Sequence, residues 1–137
     1  MCGIIEIYYM DKYKVEVKNN GGDDFIAQSE NGEFVINTSE KSVSPLEALL
    51  AALGSCTGYY VRLFAETKNI SLKPFSINLE SELIKEKSFY FKDIIVNIQL
   101  GENEFDEHTK SALFAFIKNC PVHSTLKGNP NIEIRIV

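Results

Sequence analysis

Three thiols and two imidazoles are the residues of this chain best suited to covalent chemistry: Cys2, Cys56, Cys120, His108 and His123. Cys56 lies inside "AALGSCTGYY" (51–60), a run of small and apolar residues with no charge. Three readings of it compete. A free cysteine is most often a small buried hydrophobe. It can be a metal ligand, but a tetrahedral zinc site needs four ligands in recognisable pairs, and Cys56 brings no nearby partner. Cys120-Pro-Val-His123 does have a C-x-x-H spacing, with His108 the only other histidine. The third reading is a redox or nucleophilic thiol. Cys120 supports it best: in Asn-Cys-Pro the sulfur stands at the start of a helix, facing unpaired backbone N–H groups and the positive end of the dipole, a setting that favours a thiolate. His123, on the same helix face, could act as a base there, although a structural hydrogen bond is the simpler role.

The elements that must carry these residues follow from the hydrophobic pattern. "GIIEIYY" (3–9) and "YKVEVK" (13–18) read as a hairpin, and "DFIAQS" (24–29) with "EFVINT" (33–38) as a second one turning at Asn31-Gly32. Ser44-Pro45-Leu46-Glu47 combines a serine N-cap, a proline at the first helical position and a glutamate three residues after the cap. The helix it starts runs to about Lys68 and is roughly 36 Å long. It is apolar nearly all round, which suits a helix central in a domain or wrapped by a partner. Gly54 and Gly58 would admit close packing. Two strands, "FSINLESEL" (75–83) and "FKDIIVNIQL" (91–100), follow. A helix comes next within 104–119, then a short one from Pro121, and "IEIRIV" (132–137) as a closing strand. The order β-β-β-β-α-β-β-α-α-β is an α+β plan with mainly antiparallel strands, in one domain over 1–137.

Composition narrows the function. The 137 residues carry 14 Lys plus Arg against 19 Asp plus Glu, a net charge of −5. With only two arginines, Arg62 and Arg135, nucleic acid is a poor partner. The N-terminus lacks the basic flank and apolar core of a signal peptide. The longest nearly uncharged stretch, 45–60, is short for a membrane span, so no membrane partner is expected. Three cysteines without a secretory signal point to free or redox-active thiols in a cytoplasmic protein.

"SPLEALLAALGSCTGYYV" (44–61) together with "CPVHSTL" (120–126) resembles the OsmC/Ohr family, the osmotically inducible and organic hydroperoxide resistance proteins, with the OsmC-like branch nearer. The likeness includes the proline start of the long helix, a cysteine eleven residues on, and the second block about sixty residues later. It implies an OsmC-like fold, antiparallel sheets wrapped around a long central helix in an intertwined homodimer. It also implies a thiol-dependent peroxidase using no metal or organic cofactor. Cys56 would be peroxidatic, attacking a small organic hydroperoxide and becoming a sulfenic acid. Cys120 would resolve it to a disulfide, and an external thiol reductant would restore both.

The chain departs from the family pattern at the groups that activate the thiol. No arginine precedes the central helix, and the glutamate that follows the proline directly in the peroxidases is replaced by Leu46. Lys12, Lys14 or Lys18 could supply charge without the arginine's planar fork. Glu47 reads as a capping-box residue. Arg62, about 240° around the helix from Cys56 and roughly 9 Å along it, cannot reach that sulfur within one chain. These departures leave two alternatives open: a small-molecule binding protein on the same fold with weak or no peroxidase activity, and a thiol acting on another electrophile.

Overall fold

The computed structural model describes residues 11–137. Its elements run β1 (Glu16–Asn19), β2 (Asp24–Ser29), β3 (Gly32–Asn37), α1 (Pro45–Thr67), β4 (Ser76–Lys85), β5 (Phe89–Gln99), α2 (Glu107–Ile117) and α3 (Pro121–Lys127). The architecture is α+β with antiparallel sheets and one long helix, as the patterning implies. Two compact units divide the chain, one ending at Ala48 and the other beginning at Leu49.

The first unit is a three-stranded meander, β1-β2-β3. Asn19 shapes its first turn: the side chain accepts from Gly21 N–H at 3.0 Å and donates to the Gly22 and Asp24 carbonyls. Gly21, at φ 100°, occupies backbone that other residues rarely adopt. The β2–β3 turn falls on Glu30-Asn31, one residue earlier than Asn31-Gly32, because Gly32 already pairs with Ser29. After β3, the buried Asn37 donates to Asp24 at 2.6 Å and accepts from the Ser39 N–H and hydroxyl at 2.8 Å. This ties down the connection that leads into α1.

At the start of α1 the capping box forms as read. Ser44 N–H donates to Glu47 Oε1 at 3.0 Å, and Glu47 N–H donates to Ser44 Oγ at 3.2 Å. These bonds hold the Glu47 carboxyl below its usual range. The helix stops at Thr67, where Asn69 takes a left-handed φ of 55° and Ile70 N–H reaches back to the Ala65 carbonyl at 2.8 Å, a Schellman-type ending.

In the second unit, α1 packs on the β4–β5 hairpin and α2. A Cβ added at Gly54 would lie 2.6 Å from Leu79 Cδ1, and one at Gly58 would lie 3.3 Å from Ile77 Cδ1. The two glycines are therefore what lets β4 approach so closely. Val61 and Phe64 of α1 and Leu113 of α2 form the buried centre, with Phe75, Ile98 and Phe116 around it. Only one stripe of α1 is covered this way. Leu49 and Tyr59 lie off that stripe and are exposed, and Leu46, in the first turn, is exposed as well. By length and composition α1 could also cross a membrane, which the 45–60 stretch alone did not suggest.

One strand expectation changes and another is not tested. "GIIEIYY" lies outside the described residues. "IEIRIV" joins no sheet among the described residues, although its apolar alternation is right for a strand. It has no ladder partner there: Ile132, Ile134 and Ile136 are 79%, 86% and 99% exposed.

The core assignment predicts a steep contrast in stability. Phe64→Ala, at 2% exposure, should cost about 3–5 kcal/mol in urea unfolding. Phe89→Ala, at 67% exposure near the hairpin tip, should change stability by no more than about 0.5 kcal/mol. Similar losses at both positions would contradict this packing.

Candidate active site

Cys56 sits in α1 between the two glycines that seat the helix on β4, so its height over the hairpin is set by backbone approach. The second cysteine arrives from α2. Phe116 packs against Tyr60 and Phe64, each at a ring-centroid distance of 5.8 Å, anchoring the end of α2 beside α1. The chain then turns tightly: Asn119 N–H donates to the Phe116 carbonyl and Cys120 N–H to the Ile117 carbonyl, both at 3.1 Å. Thus Cys120, four residues beyond Phe116, comes back toward Cys56, four residues before Tyr60. Sequence positions 64 apart become neighbours.

Both thiols are free, Cys56 half-buried and Cys120 buried. Burial pushes the Cys56 thiol up from its ordinary value, and the Cys120 thiol raises it further as hydrogen-bond partner and like charge. The Val122 backbone N–H acts against both by hydrogen-bonding to the sulfur. This donor was not found from the sequence, but its signal was there. Pro121 occupies the first position of α3 and has no N–H, so Val122 carries the first donor of the helix. Cys120 is the N-cap of α3, as read, and its side chain makes no capping bond.

The other candidates fall elsewhere. Arg62 faces solvent, 3.9 Å from Glu66 one turn on. Lys18 pairs with Glu16 at 3.2 Å on the exposed face of β1. Glu47 is occupied by the capping box. His123 is half-buried in the first turn of α3. Tyr60 joins the aromatic cluster, whereas Tyr59 is exposed. Among the described residues, no three His, Cys, Asp or Glu side chains gather where a metal ion could be held. The arrangement offers two-electron thiol chemistry, with two sulfurs on separate elements near enough to affect ionisation at Cys56.

A long helix over an antiparallel hairpin, in an α+β plan, defines the class of fold. The sequence model of the OsmC-like protein family matches residues 38–135, and the chain belongs to this family. It is 26% identical over 132 residues to a hydroperoxide reductase of Mycoplasma genitalium, covering 91% of this chain and 94% of that protein. The hydroperoxide reductase of Mycoplasma pneumoniae is 24% identical with the same coverage. A crystal structure of an OsmC-like protein from Mycoplasma pneumoniae superposes with a TM-score of 0.76 at 23% identity, covering 88% of this chain and 90% of that one.

The electrostatics of the pair can be checked directly. Cys120→Ala removes both the hydrogen bond and the like charge, while burial still acts on Cys56. The midpoint of Cys56 alkylation by iodoacetamide against pH should therefore fall, yet stay above that of an exposed cysteine. A midpoint that holds or rises in the variant would contradict this arrangement.

Proposed function

We propose that this protein is a thiol peroxidase that reduces organic hydroperoxides and serves in peroxide resistance. The observation that carries the reading is the proximity of the Cys56 and Cys120 thiols, brought from α1 and the start of α3. The hydroperoxide reductases similar to this chain support it. In the cycle, the Cys56 thiolate attacks the distal oxygen of R–O–O–H, the O–O bond breaks, and R–OH leaves after taking a proton. Cys56 is left as a sulfenic acid. The Cys120 sulfur then attacks the Cys56 sulfur, forming the disulfide and releasing water. Two external thiols, themselves joined as a disulfide, return both cysteines to the reduced state.

The test is consumption of cumene hydroperoxide with dithiothreitol as reductant. Cys56→Ser should lose essentially all turnover. With the reductant left out, Cys120→Ser should still consume about one equivalent, because its sulfenic acid forms but lacks the resolving thiol. Since Cys56 is held above the usual thiol range, its thiolate fraction is small at neutral pH, and the wild-type rate should climb as pH rises past about 8.5. Full activity in Cys56→Ser would remove this residue from the mechanism. The raised Cys56 thiol also favours a second reading, a small-molecule binding protein on the same fold. Absence of turnover together with an apolar ligand retained through purification would select it.

The active form in this reading is a homodimer. A second copy would cover the exposed Leu46, Leu49 and Tyr59 of α1 and pair with the 132–137 segment, which joins no sheet among the described residues. Light scattering should give twice the 15.5 kDa chain mass. Leu49→Glu should shift the equilibrium toward monomer, and a purely monomeric wild type would refute the assembly.

A further inference from the structure

We infer that an external thiol reopens the Cys56–Cys120 disulfide by attacking the Cys56 sulfur, so that Cys120 departs as the thiolate. The inference rests on the proposed disulfide cycle, and it starts from the unequal exposure of the two sulfurs. Cys120 is 0% exposed. The chain itself closes over it, with the tight 116–120 turn on one side and α3 on the other, whose first intrahelical bond runs from Ser124 N–H to the Cys120 carbonyl at 3.0 Å. A ligand or a second copy can only add cover to that position. Cys56 is half-buried, with part of its surface open.

Exchange at sulfur is an in-line displacement, so the attacking thiolate needs free space behind the sulfur it strikes, opposite the S–S bond. Access of this kind decides which sulfur reacts. Within this chain Cys56 keeps part of its surface open and Cys120 keeps none. In the first step R–S⁻ bonds to the Cys56 sulfur, the S–S bond breaks, and its electron pair leaves on Cys120. A second R–S⁻ then attacks the R sulfur of the mixed disulfide, giving R–S–S–R and free Cys56. Solvent protons balance the two thiols, so two R–SH are oxidised and one disulfide is reduced. The opposite order would require the 116–122 segment to open.

The experiment uses the full chain in a Cys2→Ser background, which leaves both site thiols in place. The disulfide is formed with diamide, so the test does not depend on hydroperoxide chemistry. β-Mercaptoethanol is added, the reaction is stopped in mild acid early in the first turnover, free thiols are capped with N-ethylmaleimide, and peptides are mapped by mass spectrometry. The mercaptoethanol adduct should sit on Cys56 and the maleimide on Cys120, exceeding the reverse pattern at least about tenfold. Comparable or reversed labelling overturns the inference, as does failure of diamide to join Cys56 to Cys120. If the labelling is as expected while cumene hydroperoxide leaves both thiols reduced, the exchange route stands and the peroxidase reading falls.

Discussion

Close seating of α1 on β4 is the constraint on which the site depends. Without side chains at Gly54 and Gly58, the helix settles onto Leu79, Ile77 and Phe75. That contact sets where the Cys56 sulfur stands. The aromatic packing of Phe116 on Tyr60 and Phe64 then sets where α2 ends, and so where the next turn delivers Cys120. Two independent contacts, one of small residues and one of rings, thus position two atoms that must meet. A shift of either would separate the sulfurs without touching them.

Much of this was legible in the chain. The capping box at Ser44 and Glu47, the N-cap at Cys120 and the β4–β5 hairpin are local features whose residues lie within a turn or two of one another. Local chemistry determines them. The two cysteine blocks were legible together through the family pattern, because neither is specific alone. What the sequence did not show was long-range or subtle. The β2–β3 turn moved by one residue because pairing of Ser29 with Gly32 outcompeted the Asn-Gly preference. The C-terminal segment has the alternation of a strand, but a strand exists only where another backbone offers its ladder, and alternation says nothing of that. The Val122 donor was hidden because a backbone N–H has no letter of its own.

Two features leave apolar surface uncovered. α1 is apolar on more faces than its own unit covers, and 132–137 presents isoleucines with no sheet beneath them among the described residues. Each such residue left in water forfeits about 1.5–3 kcal/mol of burial. Leu46, Leu49, Ile132, Ile134 and Ile136 therefore form apolar surface that the described residues do not cover.

The remaining tension is activation. Every large influence on Cys56 favours its neutral thiol except the Val122 N–H, and no arginine precedes the helix to oppose them. The cost is smaller than the thiolate fraction alone suggests. In thiol exchange, each unit of added pKa lowers the thiolate fraction about tenfold at neutral pH but raises intrinsic nucleophilicity about threefold, a net loss near threefold. Resolution is helped by geometry, since a neighbouring sulfur reacts at an effective concentration no dissolved thiol can reach. On the proposed cycle the protein is therefore well built for closing the disulfide and weakly built for the first attack on peroxide. Any group that speeds that attack must bring positive charge or hydrogen bonds to Cys56 from beyond the two elements that hold the thiols.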